Sequence, residues 1–186
     1  MFKGFMEKYG RLADGRIILI LLFLFLLVNI VVVPWIYPTF QTLDTLPSYT
    51  PQKAYELISS YGAGGRQSYA IIEATLDLAY PLITALLFSL LILYTFKRAF
   101  PGSTWAPYVS LAPFAVMLAD YPENAGVITM LLNYPRELDG VAQLSNVFTV
   151  AKFWLAPLQL LFVVGLIGWL IRAIRSKQQV GLTGNR

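Results

Sequence analysis

Residues 17–36 run without a single charged side chain, and Asn29 is the one strongly polar residue among them. About 20 apolar residues are what a helix needs to cross a hydrocarbon core ~30 Å thick. Three more apolar stretches follow, and the sequence predicts membrane-crossing helices over residues 17–37, 69–96, 106–133 and 145–171. Only 13% of the 186 residues are charged and 57% are hydrophobic, where a soluble domain carries roughly 25% charge. The expectation is an all-α integral membrane protein, a single transmembrane domain over residues 1–186. The basic start before the first run resembles a signal peptide. However, the run is long for such a segment and no small-residue cleavage site follows it, so it is read as a retained helix.

Basic residues set the expected topology. Lys3, Lys8, Arg11, Arg16, Lys97, Arg98, Arg172, Arg175, Lys177 and Arg186 fall on one side of the four spans, and Lys53, Arg66 and Arg136 on the other. Cytoplasmic loops carry the excess of Lys and Arg, so both termini are placed in the cytoplasm and the spans form an up-down four-helix bundle. The expected location is a prokaryotic cytoplasmic membrane. The net charge of +4 is accounted for by this distribution, with no nucleic-acid partner implied.

Local signals punctuate the chain. Phe2, Phe5, Met6, Tyr9 and Ala13 follow helical spacing, with Lys3, Lys8 and Arg11 opposite, an amphipathic lead-in. Pro34 and Pro38 are expected to end the first helix, with Trp35 and Tyr37 at the far interface. In the long loop that follows, Thr50-Pro51 is a helix start, a capping hydroxyl before a proline at the first turn. Ala54, Leu57, Ile58 and Tyr61 then share a face and Gly62 can end the helix. This predicts a short amphipathic helix in the first outer loop, lying on the membrane or capping the bundle. Residues 62–65 are glycine-rich but lack the ending of a phosphate loop, and are read as a flexible turn. Gly165 and Gly168 are assigned to helix packing.

The candidate site comes from polar residues at membrane depth. Asp120, Glu123 and Asn124 interrupt the third apolar segment. A charge at the centre of a bilayer costs at least ~2.5–3.5 kcal/mol, and such residues mark functional sites by default. With the topology above, Asn29 of the first span, Glu73, Asp77 and Tyr80 of the second, and Lys152 of the fourth fall in the same outer half. Glu73, Asp77, Tyr80 and Thr84 form one stripe of a helix. Ser145, Thr149, Lys152 and Ala156 form another. One closed cluster is expected, with Lys152 paired to Asp120 or Asp77. Pro81, Pro122 and Pro157 free the carbonyls of Asp77, Leu118 and Phe153 from their helical donors. Freed carbonyls at membrane depth are tolerated where they are buried or line a cavity.

Cys and His are both absent, which excludes disulfides, thiolate sites and the usual general base. No metal site and no cofactor can be named. Oxygen ligands suit a hard cation, a proton or a protonated amine, and a membrane location adds lipids to the candidate ligands and the bilayer itself as a partner. The leading expectation is binding of a cation, proton, amine or lipid in the outer half of the bundle. The alternatives are a structural or accessory subunit, in a homo-oligomer or a membrane complex, and an intramembrane lipid-modifying enzyme using carboxylate acid/base chemistry. The stretches Asp77-Leu78-Ala79-Tyr80-Pro81 and Asp120-Tyr121-Pro122-Glu123-Asn124 resemble those of small four-helix prokaryotic membrane proteins of uncharacterised function. That resemblance implies a four-helix fold and no particular activity.

Overall fold

A computed structural model describes residues 8–36 and 40–183 along the backbone, and residues 8–35 and 40–174 in their side chains. Among the described residues the chain is helical, without strands. Among the described residues three helices are long and apolar enough to cross a membrane: Gly15–Trp35, Gly62–Ala99 and Asp139–Ile174. Phe2, Phe5, Met6, Tyr37 and Pro38 lie outside the described residues, as do the side chains of Arg175, Lys177 and Arg186.

Helix α1 begins at Gly15–Leu27, capped by Asp14, whose carboxylate accepts from the Arg16 N–H at 2.7 Å. It does not stop before Pro34. A π-helical segment, Val28–Val32, carries it into a last turn, Val33–Ile36. Pro34 removes the donor to the Ile30 carbonyl, and widening of the preceding turn lets the helix continue past that gap.

Helix α2, Pro51–Ser60, starts where the Thr50-Pro51 pair places it, with the Thr50 hydroxyl accepting from the Lys53 N–H at 3.2 Å. One face of it packs on the other helices. Ala54, Tyr55 and Ile58 are buried against Tyr69, Val127, Met130 and Ala142. Gly62 adopts φ +66°, a left-handed conformation that separates α2 from the next helix.

Helix α3, Gly62–Ala99, absorbs the glycine-rich residues expected to be a turn. Its 38 residues extend about 57 Å, and Tyr69 and Ala70 near its start pack against α2. The apolar segment expected from residue 106 is broken in two. A single turn, α4 (Ala106–Val109), precedes α5 (Pro113–Asn133), because Pro113 supplies no N–H to continue α4 and instead occupies the first turn of α5. The Ser110 carbonyl at the break accepts from the buried Ser89 hydroxyl of α3, which also bonds Tyr9. Helix α6, Asp139–Thr183, is longer at both ends than its apolar run.

Helices α3, α5 and α6 form the tight centre of the molecule, and α1 packs on α3 without comparable contact to α5 or α6. The close approach of α5 and α6 occurs at Gly126, where an added Cβ would stand 2.8 Å from the Ser145 Cβ. Gly165 and Gly168, assigned to packing from sequence, have nothing within 4 Å of an added Cβ. The packing glycine is on α5, at the level of the polar residues.

Candidate functional site

Two of the polar residues are tied together by a proline. Pro81 lies within α3 and leaves the Asp77 carbonyl without its helical donor. The Asn124 amide of α5 donates to that oxygen at 2.8 Å and to Asp120 Oδ2 at 3.2 Å. Tyr121 of α5 donates to the neighbouring Leu78 carbonyl at 3.1 Å. The α3–α5 contact is therefore polar at this level, with backbone oxygens of α3 accepting from side chains of α5.

The α5–α6 contact is ionic. Lys152 Nζ lies 2.8 Å from Asp120 Oδ1 and 2.5 Å from Glu123 Oε2. Of the two partners left open by the sequence, Asp120 is the one engaged; Asp77 is beyond ion-pair distance, and Glu123 joins instead. The Thr149 hydroxyl donates to Glu123 Oε1 at 2.8 Å, and Ser145 donates to the Glu123 carbonyl at 3.0 Å. Tyr49 closes the network from just before α2, its hydroxyl donating to Ser145 at 2.9 Å and its N–H to Asn146 Oδ1 at 2.7 Å. Burial holds the Tyr49 hydroxyl above the ordinary phenol range, which keeps it a proton donor.

Between α1, α3, α5 and α6 lies a cavity of about 730 Å³. Asn29, Asp77, Tyr80, Asp120 and Lys152 line it, together with Thr84 and Thr149. Glu73, Glu123 and Asn124 do not; they are buried behind its wall, 2%, 0% and 6% exposed. Asn29, on the π-helical segment, donates to the Phe25 carbonyl at 2.7 Å and accepts from the Tyr80 hydroxyl at 3.1 Å. Phe25 stacks on Tyr80 and meets Phe88 edge-on, both with ring centroids 6.1 Å apart. Aromatic and aliphatic side chains of α1 and α6, among them Val33, Phe153 and Leu160, complete the walls.

Asp44 and Gln159 also line the cavity and escaped the sequence reading. Asp44 sits on a 3₁₀ turn, Leu43–Thr45, held by the Tyr69 hydroxyl, which donates to Asp44 Oδ1 at 2.8 Å. Nothing periodic in that loop marks Asp44. Gln159 had a signal: with Lys152 and Ala156 it follows helical spacing on one face of the fourth apolar segment. Among the described residues no group of three or more acidic side chains is arranged to hold a metal ion.

Comparison with protein-family models, with curated proteins and with solved structures gives no match to this chain.

Proposed function

We propose that this is a four-crossing membrane protein with cytoplasmic termini whose cavity binds a membrane-borne amphiphile. The fourth crossing is α5. Its 21 residues extend about 31 Å, the thickness of a hydrocarbon core. Its polar residues face inward while Leu118 and Leu132 are exposed. Its modest hydropathy thus reflects a buried polar face, and its outer face suits lipid. The distribution of Lys and Arg supports the orientation.

The cavity carries the binding reading. Ligand pockets run ~300–1,000 Å³ and combine mostly apolar walls with a few convergent polar groups, which is the composition here. Helices α1 and α6 contribute apolar walls without closing on each other, which suits access from the bilayer. A purely structural network would satisfy its own polar groups. Against that reading, Asp77 Oδ2 and Gln159 Oε1, on two residues that line the cavity, are buried without hydrogen-bond partners.

A thermal-shift series on the purified full-length protein against fractions of a membrane lipid extract tests the proposal. A ligand of the folded state raises the melting temperature by mass action. A fraction that raises it for the wild type and not for Ala156→Trp, which fills the cavity, supports binding there. No shift with any fraction would favour a structural or accessory role.

A further inference from the structure

Helix α1 is packed along its first half and nearly unpacked along its last. Tyr9, in the lead-in, and Ile18 are buried against Leu87 and Leu90 of α3, and Leu21 and Phe25 pack on the same cluster. The Tyr9 hydroxyl bonds Ser89, and Lys97 Nζ donates to the Gly10 carbonyl at 3.3 Å. Beyond Phe25 no described residue of α1 is buried or joins an apolar cluster. The π-helical segment and the last turn make no extensive contact with α3, α5 or α6.

This unpacked end is nevertheless a wall of the cavity, lined by Asn29 and Val33. The interhelical hydrogen bond described there runs from the Tyr80 hydroxyl to Asn29 Oδ1, 3.1 Å. The helix ladder is interrupted at the same level. The Val33 N–H bonds the Val28 carbonyl, five residues back, and Pro34 offers no N–H to Ile30. Sharp helix bends fall at π-bulges and prolines, and hinges are short stretches that absorb a change in backbone dihedrals. Tertiary packing thus ends at Phe25, and the weakened backbone begins three residues later at Val28.

We infer that residues 28–36 of α1 are a gate on the cavity, hinged at the π-helical segment and latched by the Asn29–Tyr80 hydrogen bond. Opening carries Asn29 and Val33 away from α5 and α6 and uncovers the cavity to the bilayer between α1 and α6. Segments with few buried apolar contacts open at low free energy, and this one gives up one side-chain hydrogen bond and little buried surface. What passes through the gate rests on the pocket reading; the motion does not.

The chain has no Cys, so pairs of spin labels can be placed in the full-length protein and their distances read by pulsed electron paramagnetic resonance in lipid nanodiscs. Val31→Cys with Leu132→Cys spans the gate and α5. Ile20→Cys with Leu118→Cys spans the packed half of α1 and α5, and all four sites are exposed. The second pair should give one narrow distribution and the first pair two populations. Tyr80→Phe removes the latch and keeps the ring, and should raise the longer-distance population about two- to tenfold, the effect of losing one hydrogen bond. Asn29→Ala should do the same and serves if Tyr80→Phe does not fold. Narrow distributions for both pairs, in the wild type and in the variant, would overturn the gate. Equal broadening of both pairs would overturn the hinge, and two populations unmoved by either variant would overturn the latch. Native mass spectra of the same labelled protein separate this inference from the pocket reading. Two populations without a retained lipid adduct would sink the pocket alone, and a retained adduct with narrow distributions would sink the gate alone.

Discussion

The Asn124 amide donates to the Asp77 carbonyl at 2.8 Å, and that oxygen is free because Pro81 follows it by four residues. Asn124 is thus a tertiary substitute for a missing helical N–H. Leaving a buried acceptor unsatisfied costs ~1–3 kcal/mol, so Asn124→Ala should destabilise the protein by about that much. Pro81→Ala restores a backbone donor and should reduce the cost of Asn124→Ala in the double variant. A double-mutant cycle on thermal unfolding in detergent reads this coupling; strictly additive effects would count against the substitution of one donor for the other.

Lys152 bridges two acids at once. Removing one partner of a buried ion pair costs ~3–5 kcal/mol because it strands the other charge. Lys152→Met should therefore abolish folding or lower the melting temperature severely. Combining it with Asp120→Asn and Glu123→Gln should recover most of the loss. Failure of the triple variant to recover would mean that Lys152 contributes packing rather than charge compensation.

Gly126→Ala should destabilise by ~1–3 kcal/mol, the cost of overpacking a tight contact, since its Cβ would lie 2.8 Å from the Ser145 Cβ. Gly165→Ala and Gly168→Ala place a methyl in open space and should be neutral or stabilising by up to ~1 kcal/mol through helix propensity. Melting temperatures of the three variants check the contrast, and a reversed order would contradict the helix approach described above.

Much of the architecture could be read from residues with local physical meaning. Thr50 and Pro51 set the start of α2, Gly62 its end, and the apolar runs gave the long helices. The break at Pro113 was obscured because residues 106–119 carry no charged side chain, and hydropathy alone carries no sign of a helix interruption. Of the glycine-rich residues 62–65 read as a turn, Gly62 does turn the chain, at φ +66°, while residues 63–65 continue into the helix and Gly65 packs closely on Phe40 and Tyr61. The polar stripes named Asp77, Asp120 and Lys152, and all three line one cavity, since helical periodicity fixes both face and rise. Asp44 reached the same cavity through loop tertiary structure, which no spacing encodes. Which acid Lys152 takes depends on how α5 and α6 are rotated against each other, which spacing within one helix does not encode.

The chain contains no Cys, so single cysteines report topology cleanly. Ser103→Cys, before α4, and Glu137→Cys, after α5, should be labelled by a membrane-impermeant maleimide from opposite sides of the membrane. The expectation is labelling of position 137 in intact cells and of position 103 only after permeabilisation. Protection of both in intact cells would mean that α5 does not cross, reducing the protein to three spans.

Native mass spectrometry of the full-length protein, released from its own membrane in mild detergent, tests the ligand pocket most directly. The account predicts a retained adduct of lipid-like mass on the wild type that is lost from Ala156→Trp and Thr84→Trp, two variants that fill the cavity from α6 and α3. An adduct-free wild type, or an adduct that persists unchanged in both filled variants, would contradict it.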